Sequence, residues 1–493
     1  MGGMMSLLGR TGSLALLMCA AAPVALAQPA AETVEEVVVT GSRIARQDYS
    51  AESPIVTVGE AAIEARGPQT LEATFNSMPQ FQASNMNSGS NPLRQGRANA
   101  NLRGLGIQRT LILLDGRRMQ ASDAFGAIDL NTISTGLVQN VEVITGGASA
   151  VYGSDAIAGV INFKLKRNFE GVELDAQYGE TSRGDGEAVN VTLNLGGNFA
   201  DGRGNVMASL AYFDRQAVAR VNRPFFYRSG ISNAPPGGIF STPANNLPSR
   251  AALDQVFGSY GIAPGLVPTN STYSVNRDGT LFTIINAVNL RYPEFDPYVV
   301  SQGRVGFPQG NTYPLSQPLE RYSAFVRGRY EIAENIEAYL QFNHMQYHST
   351  YFRHGYGAGN EPRRVEIPIT NPFIPADFRT ILASRPNPDA PINYNFGTGR
   401  ITPAIQDSEY DINEFLVGLN GRLPELGWTW DIYASTGRTK DVETYDGGIN
   451  YQALLTLVNS PTGGADICPG GFNPFLVDVL ANDPAQAACV NYL

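Results

Sequence analysis

Residues 188–216 read "AVNVTLNLGGNFADGRGNVMASLAYFDRQ". In the first half Val189, Val191, Leu193 and Leu195 alternate with Asn190, Thr192 and Asn194, the period-two pattern of a strand with one apolar and one polar face. "ADGRG" (Ala200 to Gly204) then turns the chain tightly into a second strand, Asn205 to Gln216. Such a hairpin fits a soluble sandwich as well as a membrane barrel, so its surroundings must decide.

Working outward, the same reading places strands near Gly171–Glu180, Glu187–Phe199, Asn205–Gln216, Glu320–Glu331, Ile336–Tyr351, Ser408–Arg422 and Trp428–Tyr445. The turns "ADGRG", "IAEN" (Ile332 to Asn335) and "LPELG" (Leu423 to Gly427) are short. Every other connection except the first is long: Ala217 to Leu319, Phe352 to Asp407, and Asp446 onward. Short turns at one end and long loops at the other mark a transmembrane β-barrel with apolar-out, polar-in strands. A sandwich has no reason to sort its loops by parity. The long connections are rich in Asn, Pro, Gly and Tyr, which suits ligand capture and equally suits solvated loops.

Composition agrees. The 493 residues carry 16% charged side chains, 52 glycines, 22 tyrosines and only two tryptophans, a Tyr-rich strand profile. The net charge of −10 argues against a nucleic-acid partner. At the N-terminus Arg10, the apolar Leu14 to Ala22 and Ala25-Leu26-Ala27 form a secretory signal peptide with cleavage between Ala27 and Gln28. Met18 before Cys19 is too large for a lipoprotein site. No later run reaches the length of a helical span. Cleavage leaves Cys468 and Cys489, which in an exported chain read as a disulfide.

Between the leader and the strands lies an α+β unit. "SPIVTV" (Ser53 to Val58) reads as a strand and "TLEATFNSMPQ" (Thr70 to Gln80) as a short helix. "NLRGLGIQRTLILLDGRRM" (Asn101 to Met119) is a strand pair turning at Asp115-Gly116. "VQNVEVITGGASAVYGSDAIAGVINFKLK" (Val138 to Lys166) gives a strand, a glycine-rich loop and a closing strand. Neither Gly104-Leu105-Gly106 nor the Gly146–Gly159 loop completes a dinucleotide or P-loop fingerprint, so the glycines read as tight turns and no cofactor is expected. No nucleophile elbow, HExxH or Ser/His/Asp set stands in motif context, so the chain does not read as an enzyme.

"EEVVVTGSRI" (Glu35 to Ile44) and the two motif stretches just quoted resemble, in family order, the TonB box and plug signatures of TonB-dependent outer-membrane receptors. The resemblance implies a plug inside a 22-stranded barrel, import of a scarce nutrient such as a siderophore, cobalamin or oligosaccharide, and coupling to TonB energised by ExbB–ExbD. Glu36, Val37, Val38, Val39 and Thr40 would be the TonB-binding residues, an exposed β-segment that TonB adds as an edge strand. The chain then divides into a signal peptide (1–27), a TonB-box segment (28–46), a plug (47–167) and the first part of the barrel (168–493), placed in outer-membrane lipid. Seven strands cannot form the family's barrel, and an N-terminal portion of a longer receptor is expected. Arg103, Arg109 and Arg118 would pair with barrel-wall carboxylates or stay solvated. His344, His348 and His354 lie near one strand's outer end with Tyr347, Tyr351 and Phe352, which reads as an interfacial aromatic girdle better than as a metal site. The rival reading is a secreted binding or adhesion protein with a plug-like module, which detergent dependence would distinguish.

Overall fold

The computed structural model describes residues 55–64, 71–82, 96–146, 148–224, 238–291, 299–301, 303–306, 314–353, 364–395, 404–447, 449–476 and 486–493. The chain is mainly β, with an inner α+β unit, a seven-stranded antiparallel wall and a folded cap.

The inner unit is a five-stranded sheet of β1 (Ile55–Gly59), β2 (Thr110–Leu114), β3 (Arg117–Arg118), β4 (Val138–Ile144) and β5 (Gly159–Leu165), in the order β1-β4-β5-β2-β3. β2 runs parallel to β5 and every other pair is antiparallel. β2 is buried at all five positions, as its unbroken "TLILL" demands of a strand covered on both faces. Asp115 and Gly116 turn it into β3 with positive φ of 48° and 78°, the conformation a two-residue hairpin requires. One face of the sheet joins Phe75 and Phe81 in a core with Ile112, Val143, Ile161 and Phe163. Met207 and Phe325, which belong to the wall, complete that core.

The wall is a meander of β6 (Gly171–Gly179), β7 (Ala188–Phe199), β8 (Gly204–Arg215), β9 (Leu319–Ala333), β10 (Ile336–Arg353), β11 (Ala404–Leu423) and β12 (Trp428–Asp446), each paired antiparallel with its sequence neighbour. These are the strands that periodicity and loop parity predict. β6 and β12 are its two edges and do not pair with each other, so the barrel is not closed. Side chains alternate as expected: Thr192 and Asn194 are buried inward, and Leu195, Leu210, Val417 and Leu419 are exposed outward. Aromatic side chains bound that outer band at both ends. Tyr212 packs on Tyr322 near the long connections, and Phe199 on Tyr330 near the short turns. Tyr322 and Tyr330 lie on one strand, roughly 27 Å apart, the height of a lipid-facing apolar band. Tyr347 and Tyr351 do not join this girdle. They occupy inward positions of β10 and are almost wholly buried, because a girdle residue must share the parity of the lipid-facing set.

The long connections are neither separate nor merely solvated. Strands Ile239–Ser241, Thr272–Val275 and Leu281–Thr283 from the first pair with Arg364–Ile367 and Ile392–Asn395 from the second in one sheet. Helices Arg250–Ser259, Ala376–Ala383 and Tyr451–Asn459 bury Leu253, Phe257, Phe378, Leu454 and Leu457 in the same core. Phe240, Tyr394 and Phe475, one from each long connection, meet there: the Phe240 ring lies 4.6 Å from Tyr394 and 5.0 Å from Phe475. Three connections form one cap.

Candidate functional site between the inner unit and the wall

The contact between the inner unit and the wall is polar, and much of it is buried. At the end nearest the cap, Arg97 is only 5% exposed. Its Nη1 donates to Asp123 of the inner unit at 3.1 Å and its Nη2 to Asp441 of β12 at 2.7 Å. The guanidinium stacks over the Tyr410 ring at 4.8 Å, and Tyr410 stacks on Tyr347 at 4.5 Å. The Tyr347 hydroxyl donates at 2.8 Å to Asp129, which also accepts from the backbone N–H groups of Ala98 and Asn131. Burial would lower the basicity of Arg97, and the tyrosine and aspartate oxygens around it more than offset that, so its pKa is raised. Burial pushes the Asp129 carboxyl up from its ordinary value against the hydrogen bonds it accepts.

Lower down, the wall reaches inward. Asn343 donates to the Thr132 carbonyl at 3.0 Å, Arg321 to Asn131 at 3.1 Å and Arg327 to Asp115 at 2.6 Å, while the Ser134 and Ser209 hydroxyls meet at 2.8 Å. Arg117 pairs with Asp431 at 2.8 Å and lies over the Tyr339 ring at 4.4 Å. Gly136 is required by closeness: a Cβ there would sit 2.7 Å from Thr192 and 2.8 Å from Asn194. Near the short turns the two parts separate around a polar cleft of about 1010 Å³, lined by Arg117, Lys164, Arg167, Glu337 and Asp431 among others. Such contacts hold the inner unit to the wall directionally, with Met207 and Phe325 as the wall's apolar contribution to the inner core.

Among the described residues of the inner unit, the arginines that pair with the wall are Arg97 and Arg117. Arg118 pairs with Asp155 of its own unit, and Arg109 donates to the Leu105 carbonyl; no wall partner is seen for Arg103. His344 and His348 face outward on β10 beside Asp411 (3.9 Å) and Asp407 (3.4 Å). Among the described residues no cluster of three or more potential ligands could hold a metal ion, and His354 lies outside them. Glu36, Val37, Val38, Val39 and Thr40, with the Ala27–Gln28 cleavage site, also lie outside the described residues. Cys468 and Cys489 are disulfide-bonded inside the cap, their Cα atoms 5.2 Å apart.

Residues 47–160 match the family model described as the TonB-dependent Receptor Plug Domain. These residues are a plug domain. With the apolar outer face of the wall, this places the protein in the outer membrane of Gram-negative bacteria. Among solved structures the chain is similar to a mutant of the ferric enterobactin receptor from Pseudomonas aeruginosa, at 16% identity and a TM-score of 0.34, over 79% of this chain and 49% of that one. It is also similar to the siderophore receptor PirA from Acinetobacter baumannii, at 14% and 0.32 over 79% and 57%. For the ferripyoverdine receptor of the outer membrane of Pseudomonas aeruginosa the figures are 12% and 0.35 over 80% and 43%. The chain spans about half the length of the solved structures it matches.

Sequence reading missed Arg97, Asp123, Asp129 and Asp441. One signal was present: Tyr347 and Tyr410 fall at inward positions of their strands, where the polar-in rule expects small or hydrophilic side chains. Large aromatics there point to something packed against them from within.

Proposed function

We infer that the protein is a TonB-dependent receptor that imports a small, scarce nutrient of the siderophore, cobalamin or oligosaccharide kind. The observation that carries this reading is the plug domain fixed to the inner wall by buried, directional polar contacts. Hydrogen bonds and ion pairs of this type can be broken and remade without unfolding either part, as repeated import cycles require. Ligand bound between cap and plug would expose the segment Glu36 to Thr40, and TonB, driven by ExbB–ExbD, would pair with it as an added strand. The unpaired edges of β6 and β12 belong to the same reading. In lipid each unsatisfied backbone group costs several kcal/mol, so the working receptor pairs both edges with further wall strands.

TonB coupling is tested by titrating the periplasmic domain of TonB against the receptor. Val38→Pro removes a ladder donor and fixes φ, so it abolishes binding, whereas Val38→Ala keeps most of it. Equal binding by the wild type and Val38→Pro refutes the assignment of Glu36 to Thr40.

A further inference from the structure

We propose that Arg97 is the positioning residue that makes the plug's grip on the wall depend on the state of the plug's apex loop. Residues 121–127 form that loop, and Phe125 at its tip is 71% exposed. Asp123 supports the tip and anchors it at once. Its Oδ1 accepts from the backbone N–H groups of Phe125 (2.9 Å) and Ala127 (3.1 Å), and its Oδ2 takes Arg97 Nη1. One carboxylate therefore joins the tip to the guanidinium. The other arm of Arg97 holds Asp441 on β12, and its face lies on Tyr410, a β11 residue that stacks on Tyr347 of β10. Two wall strands meet this one plug side chain directly, and a third meets it through Tyr410. The buried Nε of Arg97 has no acceptor among the described residues. Two carboxylates hold the guanidinium, and a buried charge that loses one of two such partners is left poorly compensated. Lifting the tip withdraws Asp123, and the remaining contact with Asp441 then holds a strained cation.

The consequence is a coupling through a single side chain: a molecule that displaces the apex loop loosens the plug at the level of Arg97. The inference rests on the plug being released during import. It is read here without ligand or TonB, so its failure and that of the TonB titration are separate outcomes.

The test uses the protein in its native outer membrane and follows amide hydrogen exchange of residues 96–102 and 128–132. Phe125→Cys combined with Cys19→Ser gives one reactive thiol, since Cys468 and Cys489 are bonded to each other, and a bulky maleimide on it displaces the tip. Labelling is expected to speed exchange in both segments about tenfold, and Asp441→Asn to do the same. Labelled Phe125→Cys combined with Asp441→Asn is expected to go no faster than either alone, because both act on one contact. Arg97→Lys, which keeps the charge but cannot reach both carboxylates with a rigid fork, is expected to remove the response to labelling. A tip that cannot be labelled, an unchanged exchange rate, a fully additive combination, or an undiminished response in Arg97→Lys each overturns the proposal.

Discussion

The plug and the cap each bury a hydrophobic core, but they assemble it differently. The plug core draws on Val58 to Leu165, a nearly continuous stretch, and borrows only Met207 and Phe325 from the wall. The cap core draws on Phe240 to Leu281, Val365 to Tyr394, and Leu454 to Cys489, segments separated by whole wall strands. The first two cap segments run between wall strands at both flanks, and the third follows β12 and is closed on itself by the disulfide. The wall therefore supplies much of the loop closure that an isolated chain of this pattern would have to provide in entropy. The plug is a domain in the ordinary sense, whereas the cap is a domain only while the wall stands.

That contrast can be broken at Phe240, where all three connections meet and the ring is fully buried. Phe240→Ala is expected to cost about 3–5 kcal/mol, with the loss confined to the cap. External protease should then cut all three cap segments while the plug strands keep their amide protection. Equal loss of protection in β2 and β5 would show that cap and plug are one cooperative unit. A smaller effect follows from the disulfide, which closes a loop of 21 residues. Replacing Cys468 and Cys489 together by serine is expected to cost roughly 3 kcal/mol in the chain-entropy model, again visible as protease sensitivity of the cap and not of the plug. Maleimide labelling of both cysteines in unreduced, denatured protein would contradict the bond itself.

The same contrast explains what could be read in advance. Plug strands announce themselves locally, through the buried run Thr110 to Leu114 and the Asp115-Gly116 turn, and wall strands through period two and loop parity. The cap gives no such signal. Its strands are three or four residues long, too short for periodicity, and the pairing that joins the first two connections spans more than a hundred positions, from Ile239 to Asn395. Composition alone reported loops. Arg97 was hidden for a related reason: a charged residue between Gly96 and Ala98 reads as solvated, and its burial is supplied by Asp441 and Tyr410, 344 and 313 positions further along.

The smallest expected difference lies between two adjacent residues, Arg117 and Arg118. Period two sends their side chains to opposite faces of β3. Arg117 is largely buried, pairs with Asp431 across the plug–wall contact and stacks over Tyr339, with Tyr433 a further 5.6 Å partner. Arg118 meets Asp155 at the surface of the plug, where both side chains are about half exposed. There it holds the Asp155 carboxyl below the usual carboxylate range, chiefly through its hydrogen bond. That contribution is present above the unfolded carboxylate pKa and is lost only as pH falls through the depressed folded value. Solvent screens such a pair, so Arg118→Ala is expected to change stability by no more than about 0.5 kcal/mol. Arg117→Ala leaves Asp431 half-covered beside Tyr339 and removes the stacked guanidinium, which is expected to cost about 1–3 kcal/mol. Denaturant melts of the two variants in the assembled receptor should therefore separate neighbours that sequence cannot tell apart. Equal effects would mean that the plug–wall contact at Asp431 contributes no more than a surface ion pair.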